Sequence, residues 1–406
     1  MNLTIKAGVI GIHGFGENHL RDLLNYSDNG LVELQAVCDT RFEPEQAELF
    51  RRRGIRMYDN YETMFAQERE LDFTAIATPI HLHTPMTLAA LRAGVHVLLE
   101  KPPAAVIQDT LRLINASRLA GKRVAINFLV IAPSAWSFME EAIYAGRIGT
   151  VKRVKALGQW PRLDSYYERS PWAGQLMLNG QYVLDGTLNN PFAHLLYNAL
   201  KLASLPVKQG EAAAEPVNVQ AELYRAHRIE SEDTSCLRVD MSSGVQLLFY
   251  ATLASAASHM PLIEIEGTKG KLQWEYDGKV TLYDGDGNTV SHDSSSCRTK
   301  EAYLNLFDVI AGHADKLLCD VADTRAFTMV TGGAFESAAA VREIPVEHIQ
   351  RIPENGSIAT SIAGIEELMD VCFREGKLYS EAGAPWAVSS DKFDLRGYER
   401  FGLEWS

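Results

Sequence analysis

"AGVIGIHGFGENHL", residues 7–20, is the stretch that decides the fold. A run of small and branched apolar residues, typical of a buried strand, leads directly to Gly11, and a segment with helical periodicity begins after Gly16. A strand that turns into a helix at closely spaced glycines is typical of the G-x-G-x-x-G turn that binds dinucleotides. Here His13 replaces the middle glycine, but Gly14 follows at once, so the backbone can still approach a phosphate one residue later. The stretch therefore predicts a nucleotide-binding turn with one altered position.

The first 130 residues alternate strand-like and helix-like segments, which is typical of a parallel sheet with right-handed crossovers. Buried strands of such sheets are almost continuously apolar, as "FTAIAT" and "VHVLLE" are. We therefore predict an N-terminal Rossmann domain over residues 1–130, with a doubly wound parallel sheet. The candidate strands are Ile5–Ile12, Val32–Cys38, Phe73–Ala77, Val95–Leu99 and Arg123–Phe128.

From about Val151 the pattern changes to longer stretches in which apolar and polar residues alternate, such as "VKRVKALGQW" and "VNVQAELYRAH". This alternation favours antiparallel strands with one packed face. We expect residues 131–406 to form an α+β substrate-binding and oligomerisation domain on a largely antiparallel open sheet, so the fold class is α/β overall. Segments 208–218 and 283–297 are typical of turn-rich loops. Segment 357–377 predicts an amphipathic helix that packs on one of the domains ahead of a C-terminal tail.

Composition argues against several classes of protein, among them nucleic-acid-binding, disulfide-rich and membrane-spanning proteins. The chain has 406 residues, a formal net charge of -13 and five scattered cysteines without C-x-x-C spacing. Excess negative charge argues against nucleic-acid binding, and the cysteine pattern suggests neither a disulfide framework nor a zinc site. No apolar run is long enough to span a bilayer, and the N-terminus lacks the pattern of a secretory signal. We therefore expect a cytoplasmic protein with no membrane, nucleic-acid or metal partner, and we interpret the basic run at 51–54 as a solvated helix end.

The second candidate strand ends at Asp39, roughly 20 residues beyond the glycine turn. An acidic residue at that distance is placed to accept hydrogen bonds from an adenosine ribose, which favours NAD over NADP. Arg41 lies two residues further on, and an arginine near this position can instead hold a 2'-phosphate. We expect NAD, with NADP as the less favoured alternative.

The segment "AIATPIHLHTPMTLAALRAGVHVLLEKPPA", residues 75–104, resembles the fourth and fifth strands of the Gfo/Idh/MocA family, named after glucose-fructose oxidoreductase and inositol dehydrogenase. The elements that carry the resemblance are Thr78-Pro79, His83 and above all the E-K-P signature at 100–102. The first loop through Asn18-His19 and the segment "GRIGTVKRV" at 146–154 are also similar to the family. The resemblance implies a Rossmann domain that binds NAD or NADP at the first turn. The cofactor-binding residues that it and the turn pattern suggest are Gly11, His13, Gly14, Phe15, Gly16, Asp39, Arg41, Thr78, Pro79, His83, Glu100 and Lys101.

Lys101 follows an apolar strand, at the sheet edge where doubly wound folds bind ligands. The resemblance implies that it is the catalytic lysine, exchanging a proton with a substrate hydroxyl while the nicotinamide takes a hydride. The family usually adds an Asp and a His four residues apart. Here Asp185 is followed four residues later by Asn189, and His194 is preceded four residues earlier by Asn190, so either pair could occupy those positions. We expect His194 to relay protons or orient substrate, with Asp185 as its partner from the preceding turn.

Asn190 followed by Pro191 is a typical helix start, so we predict a helix from that point. On that helix His194 would lie off the apolar stripe together with Tyr197 and Asn198, facing a cleft. The upstream segment 159–175 lacks periodicity and is rich in aromatic residues and arginines, which suit the C–H faces and hydroxyls of a sugar or polyol. The substrate-binding residues that we predict are Arg162, Tyr167, Arg169, Trp160 and Asn190.

The function expected from these residues is an NAD-dependent oxidoreductase that acts on a CH–OH group of a sugar, cyclitol or related polyhydroxy compound. One alternative is a glycoside hydrolase that uses NAD for transient oxidation followed by elimination. Another is a non-catalytic, NAD-binding sugar sensor. We also expect a homodimer or homotetramer formed through the C-terminal sheet.

Overall fold

The computed structural model describes residues 4–276, 278–293 and 298–403. These residues form two compact units. The first unit comprises residues 4–104, 108–129 and 298–325, and the second comprises the remaining described residues. The sequence boundary at residue 130 places segment 298–325 in the second domain, whereas in the structure that segment groups with the first unit.

The first unit contains a six-stranded parallel sheet in the order β3-β2-β1-β4-β5-β6. This order confirms the predicted doubly wound Rossmann sheet. The third strand was not predicted from the sequence, because it has only three residues and one buried side chain. The strands are β1 (Ile5–Ile10), β2 (Val32–Cys38), β3 (Arg56–Tyr58), β4 (Phe73–Ile76), β5 (His96–Leu99) and β6 (Val124–Ile126).

Helices cover this sheet, and their apolar faces complete its core. Leu23 of the first helix and Tyr303 of a much later helix are fully buried in the same apolar cluster as Val9 of β1. The basic run at 51–54 ends a helix at Gly54, as predicted. The helices up to residue 120 are α1 (Gly16–Asp28), α2 (Pro44–Arg53), α3 (Tyr61–Gln67), α4 (Ile80–Arg92) and α5 (Ile107–Ala120), and the late one is α8 (Thr299–Ile310).

The second unit is built on a ten-stranded, mostly antiparallel sheet, which confirms the predicted α+β architecture. Its order is β16-β15-β14-β13-β7-β12-β11-β10-β17, with β20 beside β10; the pairs β7–β12 and β10–β17 are parallel. Its strands are β7 (Val151–Gln159), β10 (Pro216–Arg225), β11 (Thr234–Met241), β12 (Gln246–Thr252), β13 (His259–Gly267), β14 (Lys271–Glu275), β15 (Lys279–Tyr283), β16 (Thr289–Asp293), β17 (Arg342–Glu343) and β20 (Phe393–Asp394). Two small ribbons, β8 (Met177–Leu178) with β9 (Gln181–Tyr182) and β18 (Ile349–Glu354) with β19 (Ser357–Ile362), complete the strands described.

Two loop and helix predictions in this unit are wrong. Segment 283–297 was predicted as a loop, but β16 lies within it and pairs with β15; residues 294–297 lie outside the described residues. Segment 357–377 was predicted as one helix, but residues 357–362 form β19 because their alternating side chains pair with β18. The helix begins only at residue 365, after Gly364 in a left-handed conformation.

The remaining helices are α6 (Pro133–Tyr144), α7 (Ala193–Ala203), α9 (Arg325–Ala338) and α10 (Ile365–Glu375). The last of these packs on the sheet, as expected: Ile365, Met369 and Cys372 are fully buried in one cluster with Tyr250 of β12. No helix in the described part of the chain is long and apolar enough to cross a membrane. Four of the five cysteines lie in described segments, where all four are buried and form no disulfide with one another, and Cys297 lies outside them.

Candidate functional site

The first turn has the geometry of a dinucleotide-binding turn at two of its glycines. Gly11 takes a φ of +84°, and a Cβ there would lie 2.4 Å from the carbonyl oxygen of Ala77. A Cβ on Gly16 would lie 2.3 Å from the carbonyl oxygen of Gly11. Both positions therefore require glycine, one for the turn and the other for close packing of helix α1 on strand β1.

Gly14 supplies the open side of the turn. Its φ is +60°, and no atom lies within 4 Å of the position that a Cβ would occupy. The backbone N–H groups of His13, Gly14 and Phe15 form no hydrogen bond within the described residues. Consecutive unbonded N–H groups at a helix N-terminus are suited to binding an anion such as a pyrophosphate.

The His13 side chain is turned toward the loop after β2, where its Nε2 lies 3.2 Å from the carbonyl oxygen of Arg41. The Arg41 guanidinium is exposed, and its Nε lies 3.7 Å from Glu43 Oε1. The altered position of the turn is thus engaged with a neighbouring loop, and the basic group that could hold a 2'-phosphate already faces a carboxylate.

Asp39 lies at the end of β2 and joins it to the first turn. Its Oδ2 accepts a hydrogen bond from the Ile12 N–H at 2.8 Å. Its Oδ1 has only long contacts, 3.4 Å each, with the Thr40 hydroxyl and the Arg41 N–H. One carboxylate oxygen therefore orients the turn, and the other retains accepting capacity for ribose hydroxyls.

Glu100, the first residue of the E-K-P signature, is the centre of a buried polar network. Its Oε1 accepts hydrogen bonds from His19 Nε2 at 2.9 Å and from Asn127 Nδ2 at 2.5 Å. His19 Nδ1 lies 2.7 Å from the Tyr303 hydroxyl of α8, and the His19 side chain is inaccessible to solvent. Burial alone would raise the pKa of Glu100, but His19, Asn127 and the charge of Lys101 outweigh it and lower the pKa to about 2. Glu100 is therefore a fixed negative charge next to the signature lysine.

Lys101 lies two residues beyond the end of β5 and is half-buried. Its backbone N–H donates to Glu100 Oε2 at 3.2 Å, and the peptide bond that joins it to Pro102 is cis. The structure therefore places the lysine at the carboxyl edge of the parallel sheet, as predicted from the sequence.

His83, predicted as a cofactor-binding residue, is only 1% exposed. Its Nδ1 lies 2.7 Å from the carbonyl oxygen of Pro102, and its Nε2 lies 2.8 Å from that of Thr78. Burial lowers its pKa, although the two carbonyl groups oppose this effect. His83 thus links the Thr78-Pro79 loop to the signature turn. The Thr78 hydroxyl donates to Met86 Sδ at 3.4 Å.

In the second unit, Asp185 is the centre of a separate polar cluster and is 3% exposed. Its Oδ2 accepts from the Gly174 N–H at 2.8 Å and from Arg169 Nη2 at 3.3 Å. Its Oδ1 accepts from Asn190 Nδ2 at 2.7 Å. The preceding residue, Leu184, has a φ of 50°, a conformation that a non-glycine residue adopts only when its surroundings enforce it. This cluster holds the 185–190 turn in a defined shape.

Two of the predicted substrate residues form a stack of arginines and aromatic rings. The Arg169 Cζ lies 3.8 Å from the ring centre of Tyr166 and 4.9 Å from that of Trp172. The Arg162 Cζ lies 5.1 Å from the centre of the same Tyr166 ring. The hydroxyl of Tyr167 is buried without a hydrogen-bond partner in the described part of the chain. Stacked guanidinium groups keep N–H edges pointing in fixed directions, which suits recognition of hydroxyl or anionic groups.

Trp160 belongs to an aromatic platform on the second sheet. Its ring stacks on Phe192 at 4.8 Å with an interplanar angle of 24°, and the edge of Tyr276 contacts it at 6.0 Å. Phe192 fits there because the underlying residue is Gly158: a Cβ on Gly158 would lie 2.4 Å from the Phe192 ring. An aromatic face held in this way suits the C–H face of a sugar.

Helix α7 differs from its prediction. It begins at Ala193, not at Asn190, because the Asn190 side chain binds Asp185 instead of capping the helix. Tyr197 and Asn198 are 2% and 0% exposed, so the helix is buried on the side that was expected to face a cleft. His194 itself is half-buried in the first turn of this helix, and its carbonyl oxygen accepts from Asn198 Nδ2 at 2.8 Å.

Sequence reasoning named Asn189 only as a possible occupant of the Asp-His positions, and it missed the buried polar groups Glu232, His227 and Asp233. Asn189 is inaccessible to solvent, and neither side-chain amide atom has a hydrogen-bond partner in the described residues. Burial raises the pKa of Glu232 to about 7, despite hydrogen bonds from the Ser231 hydroxyl and the Leu188 N–H. His227 forms a buried pair with Asp233. The adjacent acidic residues at 232–233, directly before an apolar strand, were the only sequence signal, and it does not specify their partners.

Family models match both units. Residues 5–128 match the model described as "Oxidoreductase family, NAD-binding Rossmann fold", and residues 136–273 match the "GFO/IDH/MocA C-terminal domain".

Curated relatives match little more than a third of the chain. The dTDP-3,4-didehydro-2,6-dideoxy-alpha-D-glucose 3-reductase of Streptomyces violaceoruber is 35% identical over 156 residues, 38% of this chain and 44% of that protein. The inositol 2-dehydrogenase of Salmonella typhimurium is 32% identical over 149 residues, 36% of this chain and 44% of that protein. The chain thus spans less than half the length of these relatives.

Solved structures share the fold over most of the chain. The WlbA dehydrogenase of Bordetella pertussis, in complex with NADH and UDP-GlcNAcA, aligns with a TM-score of 0.64 and 23% identity, covering 83% of this chain and 97% of that one. A levoglucosan dehydrogenase in complex with NADH and levoglucosan aligns with a TM-score of 0.67 and 18% identity, covering 83% and 98%. At these identities the likeness establishes the fold.

Proposed function

The chain belongs to the Gfo/Idh/MocA oxidoreductase family, and on that premise we propose that it is an NAD-dependent dehydrogenase acting on a CH–OH group of a sugar, cyclitol or related polyhydroxy compound. The observation that carries the proposal is the first turn, in which unbonded N–H groups lie beside the Asp39 carboxylate. The relatives named as a sugar reductase and an inositol dehydrogenase support this substrate class.

The residues of the first unit fit an NAD molecule. The N–H groups of residues 13–15 would donate to the pyrophosphate, and Asp39 Oδ1 would accept from the adenosine ribose. Bound NAD supplies a nicotinamide ring that accepts a hydride. The open space above Gly14 is the part of the turn that a bulkier residue would fill.

Lys101 would handle the proton. Glu100 keeps a negative charge directly behind it, and the contacts of Glu100 with His19 and Asn127 hold that charge in one place. His83 fixes the carbonyl of Pro102, the next residue, so the turn that carries the lysine is held from two sides. A positioned lysine can take the proton of a substrate hydroxyl as the carbon loses hydride.

The second unit would supply the polyol contacts. Trp160 offers an aromatic face, and the Arg162 guanidinium, whose Cζ lies 5.9 Å from the centre of that ring, offers donors beside it. We also assign Tyr167 and Arg169, from the same segment, to substrate binding. His194 is proposed to orient the substrate or relay protons. Asp185 and Asn190 are bonded to each other, so we assign them the shaping of the 185–190 turn.

We also propose that the protein is a cytoplasmic homodimer or homotetramer that associates through the sheet of the second unit. Three large apolar side chains on strands of this sheet are exposed: Met260, Tyr283 and Val290. Each of them offers an apolar group that a second copy of the chain could bury. Light scattering on the purified protein would give the number of copies.

Titration of NAD and NADP tests the cofactor assignment. We expect NAD to bind more tightly by about 1–3 kcal/mol, because the Asp39 carboxylate repels a 2'-phosphate. Asp39→Asn keeps an acceptor for the Ile12 N–H and should remove most of this preference. Arg41→Ala is the matched control and should leave it in place. Tighter binding of NADP by the wild-type protein would contradict the assignment.

A panel of sugars and inositols, followed by the absorbance of reduced cofactor, tests the reaction. We expect net NADH formation with at least one member of the panel. Release of an aglycone without NADH accumulation would favour glycoside cleavage by transient oxidation. Tight sugar binding without turnover would favour a sensor.

A further inference from the structure

His227 lies in the connection between β10 and β11, and its side chain is 1% exposed. Its Nδ1 lies 2.8 Å from Asp233 Oδ2. Its Nε2 lies 3.0 Å from the carbonyl oxygen of Arg162, in the predicted substrate segment. One buried imidazole therefore joins the β10–β11 connection to Arg162, four residues before Tyr166.

Both partners of this ring can only accept hydrogen bonds. A backbone carbonyl has no proton to donate. The Asp233 carboxylate already accepts the N–H groups of Ala226 and His227, at 2.8 and 2.7 Å, and the Thr234 hydroxyl at 2.9 Å. A neutral imidazole has one N–H and can satisfy only one of two such acceptors, whereas an imidazolium satisfies both.

The charges around the ring favour its protonated form. Burial by itself lowers the pKa of His227, but the bond and charge of Asp233, the Arg162 carbonyl and Asp164 outweigh burial and raise it. Asp164 Oδ1 lies 3.8 Å from Nε2 and is held by the Thr360 hydroxyl of β19 at 2.8 Å. In the described part of the chain, the ring is also faced by Tyr167, whose ring centre lies 4.9 Å away. Arg351 of β18 donates to the neighbouring Ala226 carbonyl. The adjacent groove is lined by four further charged residues, Arg225, Arg228, Glu230 and Glu343.

We propose that His227 is a positioning residue that, as an imidazolium, ties the substrate segment 160–167 to the sheet connection, so that sugar affinity falls when alkaline pH removes its proton. The sugar readout rests on the proposed function, but the protonation state of the ring does not. Loss of one proton leaves a lone pair facing an acceptor. Because Asp233 retains the remaining N–H as the stronger, charged acceptor, the released contact is the one to Arg162.

The pH dependence has a definite sign. An unfolded histidine has a pKa of about 6.5, and the folded value is higher. The stabilising effect of the tether is therefore complete below about pH 6.5 and is lost as the pH rises through the folded pKa. The KM for the sugar should rise over that same window, while kcat changes less, because the ring does not contact the reacting atoms.

Imidazole ¹⁵N NMR of the full-length protein tests the protonation state without any substrate. We expect both nitrogens of His227 to be protonated at pH 7, and the signal, assigned by its loss in His227→Gln, to titrate on the alkaline side. Asp164→Asn keeps an acceptor for Thr360 but removes a negative charge 3.8 Å away, so it should lower the titration midpoint. This second variant keeps the test available if His227→Gln does not fold, because the signal that shifts identifies the ring.

Steady-state kinetics over the same pH range test the consequence. The wild-type KM for the sugar should rise about tenfold, the scale of one hydrogen bond to a charged group, and His227→Gln should show a raised KM without that pH dependence. The exposed His259, changed to Gln, is the matched control and should behave as wild type. A singly protonated ring at pH 7, or a wild-type pH profile in His227→Gln, would overturn the proposal. Absence of any sugar oxidation would count against the proposed function alone, since the NMR result stands independently.

Discussion

His13 occupies the position at which dinucleotide-binding turns ordinarily carry glycine, and its ring is turned toward the loop after β2. The Nε2 atom lies 3.2 Å from the Arg41 carbonyl oxygen, so the side chain has a partner away from the unbonded N–H groups of residues 13–15. Gly14, with its positive φ and open surroundings, provides the close backbone approach instead. The turn thus has unbonded N–H groups suited to an anion, with the close backbone approach one residue later than in the standard turn.

Replacing His13 by Gly should change the Kd for NAD by less than about threefold, because the imidazole does not occupy the phosphate position. His313→Gly, at an exposed site in the same unit, is the control for a nonspecific effect of a new glycine. Calorimetric titration of both variants measures the difference. A tenfold gain in affinity in His13→Gly, about 1.4 kcal/mol, would show that the ring obstructs the cofactor.

The sequence predicted those residues of the first turn whose role depends on local geometry. Gly11 and Gly16 lie where the turn requires glycine, and Asp39 reaches the turn through the Ile12 N–H. Residues whose role depends on distant partners could not be predicted. The Glu232 carboxyl and the His227–Asp233 pair acquire their significance only from burial and from atoms contributed by other segments.

Strand β7 and the start of helix α7 meet at the aromatic platform of the second unit. Phe192 lies against the backbone of Gly158 and stacks on Trp160, so the aromatic platform depends on one residue without a side chain in the middle of a strand. A glycine in a strand interior is often retained for such a close approach.

Gly158→Ala should lower the free energy of unfolding by about 1–3 kcal/mol, because the new methyl group overlaps the Phe192 ring. The platform should shift with it, so the KM for the sugar should rise. The double variant Gly158→Ala/Phe192→Leu exchanges volume between the two sites and should recover part of the lost stability, as denaturant unfolding would show. Additive losses in the double variant would mean that the two residues do not compete for the same space.

Elements with strong periodicity were predicted well, and short or mixed ones were not. Strand β3 has three residues and one buried side chain, too few for an alternation to be visible. Segment 357–377 contains apolar residues at both strand and helix spacing, and pairing with β18 decides that its first part is a strand. The Asn-Pro signal at 190–191 is a sound local rule, but here a bond to Asp185 shifts the helix start to Ala193.

After forming much of the second unit, the chain contributes segment 298–325, which contains helix α8, to the first unit. Helix α8 places Tyr303 in the Rossmann core, where its hydroxyl contacts His19 and so reaches Glu100. The change in sequence pattern near residue 130 does not predict that helix α8 belongs to the first unit. The contacting residues His19 and Tyr303 are 284 positions apart in the sequence. The buried network that supports the signature lysine therefore depends on two distant parts of the chain.

The central claim, an NAD-dependent dehydrogenase in which Lys101 moves the substrate proton, is tested most directly by kcat and NAD affinity measured together on Lys101→Ala. If Lys101 moves the proton, kcat for sugar oxidation should fall by roughly 100-fold or more, while the Kd for NAD and the melting temperature stay close to wild type. Lys101→Arg should not restore turnover, because a guanidinium holds its proton too firmly to exchange it near neutral pH. Near-wild-type turnover in folded Lys101→Ala would show that Lys101 does not move the substrate proton.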